Sequence, residues 1–487
     1  MKSISKNYLY NLFYQILTLI LPFITTPYLA RALGAEAIGI YSYTLSIATY
    51  FVLFGTLGTF MYGQREIAYV QNDKEKRSII FWEIILLRII TMIFSIIIFI
   101  FTYASYGEYK IYYRILIIEL IGQCIDISWF FQGLEEFKKT VTRNAIVKMI
   151  FIVCIFILVK TPDDLVKYIL IVTGSNLLGN FSLWLYLPKY IGKIKIKDLK
   201  IFRHLKPTIM LFIPQIAMQI YTVLDRTMIG YIIEDKSEVG FYEQAQKIVK
   251  LLLTVVTSLG TVMVPRMAST YAKGDNEQLK KYMYNSFQFV FILAFPIMAG
   301  LLLVSNEFVP IFFGEGYERV SILINVILPI ILFIGLSNIL GTQYLLPTRK
   351  QKQFTISVTI GAIINFILNL FAIKKYGALG ASITTVIAEF SVAAIQFYFV
   401  KDIIKLKSVL KLSKNYVLSA IIMFVTVYLT GVAVNLEGIA LIILKVIEGC
   451  IVYGLMLFIL KDEFCYKIKD RIFEKIHNLR GSKIWKV

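Results

Sequence analysis

Runs of about 20 mainly apolar residues follow one another along almost the whole chain of 487 residues. About 20 helical residues, each rising about 1.5 Å, cross the hydrocarbon core of a bilayer. A soluble protein could not bury so much apolar surface, since 58% of the residues are hydrophobic and only 17% are charged. The sequence therefore predicts an all-α integral membrane protein.

Fourteen of these runs are each long enough to span a membrane once. Six of them precede a polar stretch, and they cover residues 8–30, 38–60, 79–104, 111–134, 143–160 and 165–188. Eight follow it, and they cover residues 208–233, 240–263, 284–304, 320–346, 354–373, 377–400, 415–435 and 438–460. The predicted fold class is thus a bundle of about fourteen transmembrane helices.

The polar stretch, residues 189–207, carries seven Lys or Arg side chains among nineteen residues. Each would cost roughly 2.5–3.5 kcal/mol in the middle of a bilayer, so the stretch is predicted to be a loop. It separates a six-helix N-terminal lobe from a second six-helix lobe with two appended helices. The predicted regions are the first lobe (1–188), a basic cytoplasmic linker (189–207), the second lobe (208–400), the appended helices (401–460) and a basic cytoplasmic tail (461–487).

Positive charge is distributed unequally between alternate loops. With both termini in the cytoplasm, the inner segments carry 36 Lys and Arg side chains and the outer loops carry 6, or 8 with two border residues. This asymmetry is typical of a multi-pass protein of the cytoplasmic membrane, whose basic loops stay inside. The formal charge of +20 therefore indicates membrane topology and membrane lipids, not a nucleic-acid partner.

A weak internal repeat accompanies this pattern. Gly39, Gly240 and Gly380 each stand near the start of a run, in the second, eighth and twelfth runs. Glycine at a helix entry suits close helix packing, and the repetition suggests two related six-helix halves. Chance similarity between apolar helices is the alternative.

Four cations within the runs are candidates for binding an anion. Arg88 lies nine residues into the third run with no carboxylate three or four residues away, and Arg226 lies in the seventh run. Lys247 and Lys250 follow in the eighth run, where Glu243 is spaced to pair with Lys247. Arg226 and Lys250 are therefore the expected free cations. An ionisable group inside a span must face the bundle interior or water, and the alternative for each is a structural ion pair.

The intramembrane acids are candidates for a coupling ion or for pairing with these cations. Glu119, Gln123 and Asp126 recur at i, i+4 and i+7 of the fourth run, so they are predicted to share one helix face. Asp225 is adjacent to Arg226 and points about 100° away from it, while Glu389 has no obvious local partner. Both histidines lie in basic polar segments. We therefore expect no metal centre, no cofactor and no catalytic residues.

Several segments resemble one family of membrane transporters. They are Ile24-Thr-Thr-Pro-Tyr-Leu-Ala-Arg-Ala-Leu-Gly34, Ile38-Gly-Ile-Tyr-Ser42, Tyr62-Gly-Gln-Arg-Glu-Ile67, Ile125-Asp-Ile-Ser-Trp-Phe-Phe-Gln-Gly133, Leu224-Asp-Arg-Thr-Met-Ile-Gly230, Glu238-Val-Gly-Phe-Tyr242 and Tyr376-Gly-Ala-Leu-Gly-Ala381. Their order, together with the fourteen runs, is similar to the polysaccharide transporters of the multidrug/oligosaccharidyl-lipid/polysaccharide (MOP) superfamily. These are the Wzx-type flippases of O-antigen, capsule and exopolysaccharide repeat units.

The resemblance implies a two-lobed bundle with a cationic cavity that opens alternately to each side of the membrane. Its substrate would be an undecaprenyl-pyrophosphate-linked oligosaccharide, moved from the inner to the outer leaflet. Arg88, Arg226 and Lys250 would contact the anionic linkage, and H⁺ or Na⁺ would be the coupling ion. A polysaccharide polymerase and chain-length proteins would be candidate partners.

Two alternatives remain at this level. A drug or metabolite exporter of the same superfamily would concentrate acids in its cavity, as Glu119, Asp126 and Asp225 could. A membrane polysaccharide polymerase would need a large outer loop to hold its catalytic groups. The longest predicted outer loop, residues 305–319, has about fifteen residues.

Overall fold

The computed structural model describes residues 2–462, except 196 and 198, together with Tyr466. The side chains of residues 2–20, 137–142, 213–215, 217, 218, 220 and 221 are outside the description. The predicted basic tail, 461–487, therefore lies almost entirely outside the described residues.

The described chain is helical nearly throughout and contains no β-strand. Its first half forms α1 (Lys2–Thr56), α2 (Thr59–Tyr69), α3 (Lys74–Phe99), α4 (Lys110–Cys124), α5 (Ser128–Gly133), α6 (Phe137–Leu158), α7 (Leu165–Trp184) and α8 (Leu205–Ile232). Its second half forms α9 (Ser237–Thr257), α10 (Leu259–Ala272), α11 (Asn276–Phe313), α12 (Glu318–Ile327), α13 (Ile330–Ser337), α14 (Gln351–Tyr376), α15 (Ala378–Val400), α16 (Leu406–Ala433) and α17 (Gly438–Ile459). The prediction of an all-α membrane fold is confirmed.

Ten helices in the described residues are long and apolar enough to cross a membrane, or eleven if the bent pair Glu318–Ile327 and Ile330–Leu345 is one span. One of the ten, Leu21–Tyr69, has 49 residues and is too long for a single crossing. It contains Gly34, whose φ of 77° and ψ of 170° interrupt α1 between the first two predicted runs. Glycine adopts this conformation without the steric cost of a side chain. Helical residues lie in every predicted run, but the count of fourteen remains a prediction.

Two compact units divide the chain. The first contains residues 1–243 and 369–381, and the second contains residues 244–368 and 382–487. Helix α8 therefore belongs to the first unit, and α9, α14 and α15 contribute residues to both. The division into lobes at residues 189–207 remains a prediction.

The glycines at the predicted helix entries occupy close contacts between backbones. A methyl group on Gly39 would overlap the carbonyl oxygen of Lys236, and one on Gly240 would overlap that of Ala35. A methyl group on Gly380 would overlap the carbonyl oxygen of Ala372. Close packing at these glycines, which their positions in the sequence predict, is therefore confirmed.

An aromatic core lies among α2, α3 and α5 of the first unit. The ring of Trp129 is fully buried and stacks on Phe81 at a centroid distance of 5.7 Å. Phe130 meets Phe81 edge to face at 5.0 Å. Such pairs stabilise a core beyond their area burial by about 0.5–1.5 kcal/mol each. This core is a rigid support for the charged side chains of α3.

The central linker is tied to the first unit by hydrogen bonds. The guanidinium of Arg77 donates to the carbonyl of Tyr190 at 2.6 Å, and the amide of Gly192 donates to the Ser78 hydroxyl at 2.8 Å. The linker ends in a short 3₁₀ turn, Ile201–His204, which leads directly into α8. The described part of the linker is therefore held against the first unit by hydrogen bonds.

Candidate functional site

Arg226 and Glu243 form a partly open ion pair within the first unit. Nη1 of Arg226 lies 3.1 Å from Oε2 of Glu243, and the hydroxyl of Ser42 donates to the same oxygen at 3.2 Å. The two charged side chains keep 23% and 17% of their surface exposed. Arg226 lies six residues before the end of α8, about 9 Å into the helix. A charge at that depth that remains partly exposed must face a water-filled interior.

This arrangement corrects one expectation. Arg226 is not a free cation, because Glu243 accepts a hydrogen bond from it. Within the described residues its guanidinium donates only this bond, whereas an arginine carries five N–H donors. The remaining donors of the planar guanidinium suit bidentate contacts with two oxygens of an anion such as a phosphate.

Asp225 occupies a separate buried cluster on a different face of α8. Its side chain is only 7% exposed, and the hydroxyl of Tyr242 donates to its Oδ2. Asn369 of α14 donates to its Oδ1 at 2.7 Å. Thr227 lies nearby on α8 and donates to the Ser46 hydroxyl at 2.8 Å. A buried carboxylate among amide and hydroxyl groups can hold a proton or a hard cation such as Na⁺.

Glu119 joins α4 to α7. Gln123 donates to its Oε1 at 3.0 Å, which agrees with the predicted shared helix face, and Asn176 of α7 donates to its Oε2 at 2.9 Å. Asp126 does not belong to this stripe, because α4 ends at Cys124 and the helical spacing is lost there. Instead, Oδ1 of Asp126 accepts from the backbone amide of Ser128 at 2.9 Å, at the start of α5.

Arg88 is sealed inside the first unit. Its side chain is 2% exposed, and Nη1 donates to the backbone carbonyl of Asp126 at 2.7 Å. Its Nε is buried without a hydrogen-bond partner. Arg88 therefore braces the break between α4 and α5 through a backbone carbonyl and not through a structural ion pair, and its contact with an anion remains a prediction.

The remaining predicted site residues lie in the second unit. Lys247 and Lys250 are exposed near the middle of α9, and Glu389 is buried in α15. Exposed lysines at this position in a spanning helix are expected to face water, not lipid. Their contact with an anion remains a prediction.

A further pair of charges lies in the second unit. Lys445 and Glu448 are spaced to pair with each other, but Nζ of Lys445 lies 2.6 Å from Oε1 of Glu307 on α11. Glu448 accepts from Thr430 at 2.7 Å. Packing between helices, and not spacing along one helix, therefore decides which of these charges pair.

A buried network in the N-terminal half of α3 has no counterpart in the predicted site. Glu83 is completely buried and its Oε2 lies 2.7 Å from Nε2 of His204. Nδ1 of His204 lies 2.7 Å from the hydroxyl of Tyr62, and Arg203 also donates to Glu83. In the sequence, Glu83 could be noticed only as a lone carboxylate within an apolar run. Its partners could not be predicted, because they lie in a linker that is more than 100 residues away in sequence.

The described chain is thus an all-helical, multi-pass membrane protein with partly exposed charges inside its spans, and such charges mark functional sites. Comparisons with known proteins define the family. The family model described as polysaccharide biosynthesis protein matches residues 4–271, and the MatE model matches residues 211–371. The chain belongs to the polysaccharide biosynthesis protein family. The resemblance found in the sequence is thereby confirmed.

Individual relatives agree with this assignment. A protein of Escherichia coli (strain K12), named as a candidate O-antigen transporter, is 25% identical over 408 residues, which make up 82% of this chain and 97% of the relative. The solved structure of the lipid II flippase MurJ, in an inward closed conformation, has a TM-score of 0.74 at 19% identity and covers 94% of this chain and 99% of its own. An inward-facing MATE multidrug transporter of the MOP superfamily has a TM-score of 0.55 at 13% identity, with coverage of 81% and 99%. The chain therefore shares its fold with a solved flippase and a solved multidrug transporter.

Proposed function

We propose that this protein is a flippase for lipid-linked oligosaccharide repeat units. It moves undecaprenyl-pyrophosphate-linked units from the inner to the outer leaflet of the bacterial cytoplasmic membrane, with both its termini in the cytoplasm. The units then enter surface polysaccharide synthesis. The names of the relatives, an O-antigen transporter and a lipid II flippase, support this substrate class.

The partly open Arg226–Glu243 pair is the observation that carries the proposal. Glu243 accepts a hydrogen bond from the guanidinium, and Ser42 donates to the same carboxylate oxygen. A pyrophosphate has more charge than a carboxylate and more acceptor oxygens, so it can displace Glu243 and engage the donors that are left.

Binding alone does not give transport a direction. The substrate must stabilise one orientation of the transporter over the other, and an ion gradient can supply the direction. The Asp225 cluster is the proposed site for H⁺ or Na⁺, because a buried carboxylate with amide and hydroxyl neighbours changes its partners when a cation enters or leaves. Asp225 is adjacent to Arg226 in sequence, so a change at one residue can move the other.

A lipid analysis of cells that lack the gene tests the proposal. We expect single, complete lipid-linked units to accumulate on the inner face of the membrane, and the intact gene to relieve this accumulation. Arg226→Ala should not relieve it. Arg65→Ala is the matched control, because Arg65 forms an exposed pair with its neighbour Glu66 at 2.9 Å and lies outside the site. Units on the outer face that remain unpolymerised would contradict the proposal.

A second candidate function is export of drugs or metabolites. The MatE match over residues 211–371 and the buried acid Asp225 favour it. In that case, loss of the gene would change drug tolerance and leave the lipid-linked units in their normal distribution.

A further inference from the structure

A cluster of one carboxylate and two carboxamides lies midway along two neighbouring helices. Glu119 is nine residues into α4 and Asn176 is eleven residues into α7, so each lies about 14–17 Å along its helix. Asn176 is exposed, while Glu119 and Gln123 are half-buried. Polar groups at this depth that are still exposed must face water inside the protein.

This cluster is not needed to hold the two helices together. Asn180, one turn further along α7, is buried and donates to the carbonyl of Gly122 at 2.9 Å. Trp184 donates to the carbonyl of Ile125 at 2.8 Å. These hydrogen bonds join α7 to the C-terminal end of α4, so the contact between the two segments does not depend on Glu119 and Asn176 alone.

Unused hydrogen-bonding capacity remains in the cluster. A carboxylate has about four acceptor positions. Within the described residues Glu119 accepts two hydrogen bonds, one at each oxygen. The carboxamide oxygens of Gln123 and Asn176 accept none in the same part of the chain. Acceptors of this kind, close together and open to water, suit the hydroxyl groups of a sugar.

Two tyrosine rings form a contact between α1 and α7 of the same unit. Tyr41 and Tyr168 meet edge to face at a centroid distance of 5.1 Å, and both are half-buried. Tyr41 precedes Ser42, whose hydroxyl donates to Glu243, and Tyr168 lies about two turns before Asn176 on α7. The ring pair therefore joins the helix segment beside the ion pair to the helix that carries Asn176, and ring faces can pack against the apolar C–H surface of a sugar ring.

We propose that Glu119, Gln123 and Asn176, together with Tyr41 and Tyr168, form a saccharide subsite. It binds hydroxyl groups of the first sugars of the lipid-linked unit, while Arg226 binds the phosphate linkage beside it. This inference rests on the proposed function and adds the residues that bind the hydroxyl groups of the sugar. It also gives Glu119 a role different from that of a coupling acid.

Binding to two lipids tests the subsite. The purified full-length protein is titrated, by native mass spectrometry, with undecaprenyl pyrophosphate and with the lipid-linked units extracted from cells that lack the gene. Glu119→Gln and Asn176→Ala should each raise the Kd for the sugar-bearing lipid about tenfold, as loss of one or two good hydrogen bonds does. Neither should change the Kd for undecaprenyl pyrophosphate. Arg226→Ala should raise both.

A pair of ring variants provides an independent readout. Tyr168→Leu should weaken binding of the sugar-bearing lipid more than Tyr168→Phe does, because only the second keeps the ring. This pair decides the question if Glu119→Gln fails to fold. A uniform effect of the cluster variants on both lipids, or no effect on either, would overturn the subsite. A change in ion dependence with unaltered sugar affinity would also overturn it and assign Glu119 to coupling.

The same titration separates this inference from the proposed function. If the unaltered protein binds neither lipid, the flippase proposal fails and the subsite fails with it. If it binds both lipids equally, and Arg226→Ala weakens both, the flippase proposal stands while the saccharide subsite is wrong.

Discussion

Arg88 and Arg226 are both arginines inside apolar helices, and the sequence predicts the same role for both. The structure separates them. Arg88 is sealed and donates to a backbone carbonyl, whereas Arg226 is 23% exposed and pairs with Glu243. A charge within a span is therefore not enough to mark a binding site. Its exposure and the nature of its partner decide whether it can exchange that partner for a ligand.

The acids of the first unit show the same contrast. Glu83 is fully buried and bonded to His204, Arg203 and the backbone amide of Lys200. Glu119 accepts two hydrogen bonds from amide side chains and remains half-buried. A saturated, sealed carboxylate stabilises one structure, and a partly open one can accept further donors.

The largest expected effect follows from removing the sealed arginine. Arg88→Ala should destabilise the protein by about 3 kcal/mol or more, because it leaves a cavity and an unsatisfied carbonyl at Asp126. The amount of folded protein in the membrane and its thermal stability in detergent measure this effect. Normal amounts of a stable protein that has lost only transport would place Arg88 in the binding site and remove the contrast with Arg226.

A somewhat smaller loss of stability is expected at the linker network. Glu83→Gln removes the charge that Arg203 and His204 share, and the expected cost is about 1–3 kcal/mol. Limited proteolysis of the linker should accelerate, since the network anchors its C-terminal end. Glu66→Gln is a suitable control, because Glu66 pairs with Arg65 at the protein surface. Unchanged proteolysis would show that the linker is held by other contacts.

Substitution of the partly exposed Arg226 should affect transport and not stability. Arg226→Ala should lower the transport rate about 10- to 100-fold through the loss of charge-assisted hydrogen bonds to the substrate. Arg226→Lys should retain part of the rate, since it keeps the charge but loses the planar fork. Transport assays normalised to protein level measure both. Equal rates for Arg226→Ala and the unaltered protein would mean that Arg226 does not contact the substrate.

The smallest expected effect comes from the partner of Arg226. Glu243→Gln removes the carboxylate that competes with the substrate, so undecaprenyl pyrophosphate should bind a few-fold more tightly. Native mass spectrometry of the purified variant measures the Kd. Weaker binding would indicate that Glu243 positions Arg226 and does not compete with the anion.

Much of the fold could be predicted from sequence because it depends on local patterns. Apolar runs predict helices, and Gly39 and Gly240 predict close packing that the backbone contacts confirm. The spacing of Glu119 and Gln123 correctly predicts a shared face, because an i, i+4 relation holds within one continuous helix.

The partners of the charged residues could not be predicted, because they depend on tertiary packing. Glu83 and His204 are 121 residues apart in sequence, and Lys445 pairs with Glu307 at a separation of 138 residues. The helix break after Cys124 places Asp126 off the predicted face. In each case a contact between elements prevails over the spacing within one element.

Transport by the reconstituted protein tests the central claim most directly. The full-length protein is placed in liposomes with extracted lipid-linked units, and the fraction of units accessible to membrane-impermeant periodate is followed over time. The account predicts that the unaltered protein exposes the units of the inner leaflet, and that Arg226→Ala, present in equal amount, does so at least about tenfold more slowly. Equal rates for the two proteins, or no exposure by either, would contradict it.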